Sequence, residues 1–309
     1  MSPPPVVAAS GAARAIELIG DAWVLRILRS AFRGTSRFSG FVNELGVSRA
    51  VLSQRLESLC AQGLLERNAE GGGHARYRLT EMGLDLWGVL ILMWLWERQR
   101  GSGLQLGALI SDRPRSRLIH LDCGHSIEPR YVCLHCAQAV SPFDTEPVLR
   151  PQAGGPTADA QLPDQRQRYR QSSRGDRLNL PRLLRLYGDR WNCFMLAAAF
   201  QGARTFSDFQ RALALGPAQV SDRLSELQSL GFLNARAYAG VRQEYRLSAD
   251  ALATFAITIE LMQWGNRWLW RGRAPLTVRH KKCGHILRAA LECPHCRETL
   301  TRRNLSLSD

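Results

Sequence analysis

The chain has 309 residues, enough for two or more compact units that each bury a core. Its 41 Lys and Arg outnumber 27 Asp and Glu, giving a net charge of +14 and a pI near 10.2, a balance unusual for an enzyme of small metabolites and common in proteins that meet nucleic acid. No charged leader with a long apolar stretch opens the sequence, and the most apolar run, Leu84 to Trp96, is interrupted by Asp85 and falls short of the roughly 18 residues a membrane span needs, so a cytoplasmic chain without a membrane partner is expected.

Residues 1–11 are rich in Pro and Ala and read as a disordered N-terminus. Ala12 to Ile19 and Asp21 to Phe32 then read as two helical stretches broken near Gly20, with Asp21 placed to cap the second. Phe38, Phe41, Val42 and Leu45 form the apolar face of a short helix. In the next stretch, Val47 to Leu59, Leu52, Leu56 and Leu59 make one stripe and leave Ala50, Ser53, Gln54 and Glu57 on the other side. Ser48 stands where an N-cap belongs, so the positive end of that helix points outward beside Arg49, an arrangement suited to a phosphate or a base edge. Two such helices in succession are helix-turn-helix arithmetic.

Leu64 to Asn68 and Arg76 to Leu79 read as strands around Glu70-Gly71-Gly72-Gly73-His74, which makes residues 12–100 a winged helix-turn-helix domain. Its wing, residues 68–78, carries His74, Arg76 and Arg78 toward a minor groove or the backbone. From Thr80, an N-cap candidate, Leu84, Trp87, Ile91 and Trp94 form a narrow seam, read as a packing or pairing face.

The chain then repeats itself at an offset of 168. Gly20-Asp21-x-Trp23 recurs as Gly188-Asp189-x-Trp191, Ser53-x-Arg55-Leu56 as Ser221-x-Arg223-Leu224, and Tyr77-Arg78-Leu79 as Tyr245-Arg246-Leu247, without a gap. A period this long means a duplicated domain rather than a solenoid. Residues 141–175, rich in Pro and Gly, read as a linker, and residues 176–270 as the second winged domain.

Six of the eight cysteines fall in two blocks with identical internal spacing, at an offset of 160. His120-x-x-Cys123-Gly124 is followed by Cys133-x-x-Cys136, and His280-x-x-Cys283-Gly284 by Cys293-x-x-Cys296. Each block offers two knuckles of soft or borderline ligands, so residues 117–140 and 277–300 are expected to be zinc-ribbon-like modules. His120, Cys123, Cys133 and Cys136 are assigned to one structural Zn2+ and His280, Cys283, Cys293 and Cys296 to a second, two ions per chain with closed coordination. His125 and His285 are rival fourth ligands, with His135 and His295 less favoured inside the Cys-x-x-Cys turns. Cys193 aligns with Leu25 and reads as buried filler, and Cys60 aligns with Gln228.

The run from Ile16 through Arg67, with Tyr77-Arg78-Leu79-Thr80 and Gly83, resembles the HxlR-type winged helix-turn-helix regulators, relatives of the MarR type. The likeness covers about residues 12–98 and, more weakly, 178–266. It implies a dimeric, cytoplasmic bacterial transcription regulator, often a repressor, with the 48–59 helix in the major groove and the wing beside it. Some members of that family look similar in carrying an appended Cys/His block.

The expected fold is therefore mainly α with small β, two winged domains each followed by a Cys3His module, acting on double-stranded DNA as a homodimer or an intramolecular pseudo-dimer. Arg49 and Gln54 are the candidates for base edges. Ser48, Ser53, Arg55, His74, Arg76 and Arg78 are candidates for phosphate or sugar, with Gln219, Arg223, Arg236, Arg242 and Arg246 as second-copy equivalents. For Arg55 and Arg223 the competing reading is a packed stem whose head finds a carboxylate. The second copy departs from the family pattern, since Ser48 becomes Gly216, Arg49 becomes Pro217 and Gln54 becomes Asp222. A rival function is a scaffold whose second winged unit and Cys/His block hold a protein partner. No phosphate loop, paired carboxylates or nucleophile-base arrangement points to an enzyme.

Overall fold

The structure, a computed structural model, describes residues 10–68, 75–100, 116–150, 181–238 and 242–308. The first unit comprises α1 (Gly11–Ile19), α2 (Ala22–Phe32), α3 (Phe38–Leu45), α4 (Arg49–Ala61), the hairpin β1 (Leu65–Asn68) and β2 (Arg76–Leu79), α5 (Glu81–Leu84) and α6 (Trp87–Arg100). Caps account for its boundaries. Ser10 Oγ accepts from the Ala13 N–H at 3.0 Å and Asp21 Oδ1 from Val24 at 2.9 Å. Residues 10 and 11, expected in a disordered tail, thus begin α1, while residues 1–9 lie outside the described residues. Leu52, Leu56 and Leu59 are buried as one stripe of α4 beneath α2 and α3. Gly46 ends α3 at φ 63°, and the second copy puts Ala214 in the same left-handed turn, where a Cβ costs about 1 kcal/mol.

The first Cys/His block follows as β3 (Arg117–His120), β4 (Ser126–Ile127), β5 (Arg130–Cys133), a 3₁₀ turn at Pro142–Asp144 and β6 (Thr145–Leu149). The second unit comprises α7 (Arg182–Tyr187), α8 (Arg190–Phe200), α9 (Phe206–Leu213), α10 (Pro217–Ser229), β7 (Leu233–Tyr238), β8 (Arg242–Leu247), α11 (Ala249–Ala253) and α12 (Phe255–Trp268). The second block closes the chain with β9 (Leu276–His280), β10 (Ala289–Glu292) and β11 (Leu305–Ser308).

The copies pack on each other about an approximate twofold axis. Asp21 and Asp189, 168 residues apart, form a backbone bridge. The indole N–H of Trp96 donates to the Asp250 carbonyl at 3.0 Å, and Trp264 returns the same bond to Met82 at 3.0 Å. Both pairs obey the 168 offset, which is the signature of an isologous contact. Helices α1 and α12 cross at Gly11 and Gly265, where a Cβ on either would collide with the opposite helix. The narrow seam expected from Thr80 onward needs correction: the segment is two helices, and α6 is buried on every side from Gly88 to Glu97 because both copies enclose it.

The Cys/His blocks interlock. Strand β5 pairs antiparallel with β10, centred on Tyr131 and Leu291; β6 pairs with β9, and β11 with β3. Each block gives its last strand to the other's first. Residues 141–150, expected in the linker, belong to this exchange, and Pro147 is tolerated because β6 pairs on one side only. Expected linker residues 151–175 lie outside the described residues. The stretches 117–140 and 277–300 are thus not two freestanding modules. So short a ribbon has little core of its own, and pairing its open edges with a second copy supplies one.

Candidate functional site

Helix α4 begins at Ser48, whose Oγ accepts from the Val51 N–H at 3.4 Å. Ser48, Arg49, Ala50 and Gln54 are exposed, so the cation and the amide both face solvent beside a free helix N-terminus. Ser53 is half-buried and donates to Glu57 at 2.9 Å. The wing is held against the helix pair in both copies by equivalent bonds, Tyr77 N–H to the Ser36 carbonyl and Tyr245 N–H to that of Arg204. Arg78, Arg236 and Arg246 are exposed and Arg76 is half-buried; Arg246 pairs with Glu244 at 3.0 Å, Arg242 opens β8, and His74 lies outside the described residues.

Arg55 and Arg223 are corrected from phosphate contacts to internal ties. Arg55 donates to Asp21 at 3.0 Å and Arg223 to Asp189 at 2.6 Å. Each aspartate therefore caps a helix, bridges to its counterpart and anchors α4 or α10, which explains the repeated Gly-Asp-x-Trp. At α10 the N-cap is Gly216, Pro217 fills the first position, and Gln219 turns back to accept from the Gly216 N–H at 3.3 Å. Exposed Asp222 stands where α4 has Gln54.

All eight expected metal ligands gather into two quartets, but across the copies. His120 and Cys123 meet Cys293 and Cys296; Cys133 and Cys136 meet His280 and Cys283. This corrects the assignment of each ion to a single block: the β5–β10 ladder carries each Cys-x-x-Cys turn to the opposite block's His-x-x-Cys turn. In the first quartet His120 Nδ1 lies 3.1 Å from Cys123 Sγ and 3.4 Å from Cys296 Sγ, with Cys123 and Cys293 3.7 Å apart. In the second, His280 Nδ1 is 3.4 Å from both Cys136 and Cys283, and Cys133 and Cys283 are 3.9 Å apart. Zn–S near 2.3 Å and Zn–N near 2.0 Å in a tetrahedron space ligands by roughly 3.5–3.8 Å, so the donor sets fit.

Gly124 and Gly284, at φ 71° and 74°, let each His-x-x-Cys-Gly turn aim backbone N–H groups at sulfur. The backbone N–H of His285 leads the groups that hold the Cys283 thiol down to about 6. Burial pushes Cys293 up, yet the N–H groups of Cys296 and His295 outweigh it and hold that thiol at about 7. His120 Nε2 stands 3.2 Å from the Asp122 carboxylate, a charged neighbour His280 lacks because Lys282 takes that place. His125 stacks on His295 and His135 on His285, all exposed and outside the quartets.

Sequence reasoning missed one polar cluster. Tyr131 donates to Glu260 at 2.7 Å, and Gln263 bonds both backbone groups of Ala289, tying α12 to the β5–β10 ladder. The matching positions of the first copy are Leu92 and Leu95, and Leu291 matches Tyr131, so these positions are polar in one set and apolar in the other. Two carboxamide or carboxylate residues inside an otherwise apolar helix were the available signal. Cys193 is buried as expected, its thiol donating to the Leu186 carbonyl at 3.2 Å.

The HxlR-like helix-turn-helix family model matches residues 18–103 and 186–273. The HTH-type transcriptional regulators Rv3095 of Mycobacterium tuberculosis and Mb3122 of Mycobacterium bovis are each 35% identical to this chain over 143 residues, covering 45% of this chain and 84% of the relative. One relative is thus about as long as one copy here. The crystal structure of PA1607 is 30% identical and covers 43% of this chain and 89% of its own, with a TM-score of 0.37.

Proposed function

The chain belongs to the HxlR-like helix-turn-helix family, and on that premise we propose that it is a sequence-specific transcriptional repressor whose winged units act as an intramolecular pseudo-dimer on double-stranded DNA. It is a DNA-binding regulator and not an enzyme, as its family and relatives are. One observation carries the finer reading: Arg49 and Gln54 stand exposed at the open end of α4, while Pro217 and Asp222 occupy the same places on α10. A guanidinium and a carboxamide can address base edges in a major groove; a proline and a carboxylate cannot attract that surface. The first copy is the reader, Arg78, Arg236 and Arg246 grip backbone, and the operator is asymmetric.

His120, Cys123, Cys293 and Cys296 would hold one Zn2+ and Cys133, Cys136, His280 and Cys283 a second, as closed, structural centres that would clasp the copies together. Their chemistry is coordination alone, and the chain's residues do the recognition. No described helix is long and apolar enough to cross a membrane, in keeping with a cytoplasmic regulator. A second reading, in which the second unit holds a protein partner, draws on the same loss of cations from α10.

The test is footprinting on operator fragments recovered from genomic DNA. Arg49→Ala and Gln54→Ala are expected to weaken binding by about 1–3 kcal/mol each, roughly 5- to 150-fold, against threefold or less for Gln219→Ala and Asp222→Ala. The reverse ranking removes the assignment of the reader.

A further inference from the structure

The second Cys/His block has gained the charge that α10 lost. Between Arg271 and Ser308 nine Lys and Arg face two Glu, whereas the matching 38 residues of the first copy, 111–148, hold four cations and five carboxylates. Leu121, Asp122 and Glu128 become Lys281, Lys282 and Arg288; Ala137, Pro142 and Phe143 become Arg297, Arg302 and Arg303. Lys282 answers Asp144 at 2.9 Å and Arg297 answers Glu292 at 3.2 Å, but Arg288, Arg302 and Arg303 are exposed with no carboxylate partner among the described residues. Seven net positive charges in an eighth of the chain exceed what solubility requires.

This surface lies apart from the reading helices. Arg55 and Arg223 tie α4 and α10 to the Asp21–Asp189 bridge, at the C-terminal end of α1. The other end of α1 starts at Ser10, which bridges to Leu276 in β9 of the Cys/His unit. Helix α1 therefore lies between the anchor of the reading helices and the Cys/His unit.

We propose that the second Cys/His block is an independent phosphate-binding surface that takes the backbone of a second DNA duplex, so that one chain bridges two segments. The proposal rests on the DNA-binding reading above and adds a site to it. Arginines on turns, without a recognition element beside them, address phosphate and carry no sequence information. The block thus holds whatever duplex α4 brings near.

The experiment uses full-length, zinc-loaded protein, first saturated with an operator duplex selected from a random pool, then titrated with a labelled 30-base-pair duplex of mixed sequence. Wild type is expected to take up the second duplex with salt-dependent affinity. Arg288→Ser/Arg302→Ser/Arg303→Ser is expected to lose that uptake by about tenfold or more at 0.1 M salt and to flatten its logarithmic salt slope by roughly 0.9 per contact removed, with operator binding and zinc content unchanged. Arg49→Ala is expected to do the opposite. Unchanged uptake by the triple variant overturns the proposal, as does tighter uptake of single-stranded RNA than of the duplex. Failure to select any operator overturns the reading of α4 instead, and the mixed-sequence duplex alone still decides the block.

Discussion

At the open end of α4 stand Ser48, Arg49 and Gln54; at the matching end of α10 stand Gly216, Pro217 and Asp222. In the Cys/His blocks, by contrast, every ligand of one copy has its match in the other. Topology explains the difference. The solvent-facing start of α4 has no hydrogen bond or ion pair to the second copy among the described residues, so the two helix ends can drift apart. Each quartet takes two ligands from each block, so a change in either block damages both halves of the molecule. The copies are free to differ where they are separate, and their metal ligands are bound to agree because both quartets draw on both blocks.

The severest way to break this comparison is through paired cysteine substitutions and metal analysis. Crossed quartets predict that Cys123→Ser/Cys293→Ser damages one centre and leaves about one zinc per chain, whereas Cys123→Ser/Cys133→Ser damages both. Quartets confined to single blocks predict the reverse. Because a structural zinc site contributes on the order of 10 kcal/mol, the second double variant is expected to lose the cooperative packing of its copies. Reversed stoichiometries would sink the exchange of strands along with the clasp.

Much of the winged fold was legible because its signals are local. Ser48 and Asp21 were readable as caps from their places before apolar runs, and the stripe of Leu52, Leu56 and Leu59 from its period. The tie from Arg55 to Asp21 left a trace as well, since both residues recur together as Arg223 and Asp189. The crossing of the quartets left none. With identical spacing in both blocks, the ligands cannot say which His-x-x-Cys turn meets which Cys-x-x-Cys turn; that depends on strand pairings 160 residues apart. The burial of α6 escaped for a related reason. A heptad-like selection of Leu84, Trp87, Ile91 and Trp94 passed over the apolar residues between them, and these fill the faces turned to the second copy.

A smaller effect probes a buried pair that only the first copy has. Glu97 on α6 is buried, its oxygens without a hydrogen-bond partner among the described residues, and burial outweighs the attraction of Arg29 to push its carboxyl up to about 8. The second copy has Gly265 and Ala197 at these positions. A folded state that keeps a proton the unfolded chain releases above about 4.5 loses stability as pH rises from about 4.5 to 8. Between pH 5 and 8 wild type is expected to lose on the order of 4 kcal/mol relative to Glu97→Gln, in denaturant melts at each pH. Parallel pH profiles would mean that Glu97 is solvated and the copies do not differ there.

The smallest effect tests how far the twofold relation extends. Trp96 and Trp264 donate equivalent bonds to opposite copies, so each Trp→Phe change should cost about 1 kcal/mol for the lost N–H bond. Their surroundings are unequal, however. Arg182 lies 5.2 Å over the Trp96 ring while also pairing with Asp250 at 2.7 Å, and Phe232 packs 5.6 Å from the same indole. The counterpart cation, Arg14, sits over Trp270 instead, and Leu64 replaces the phenylalanine. Since an indole attracts a cation more strongly than a benzene ring, Trp96→Phe should exceed Trp264→Phe by about 0.5 kcal/mol. Equal costs would mean that only the shared hydrogen bond matters; a costless Trp264→Phe would mean that the reciprocal bond, and with it the symmetry of this interface, does not hold in solution.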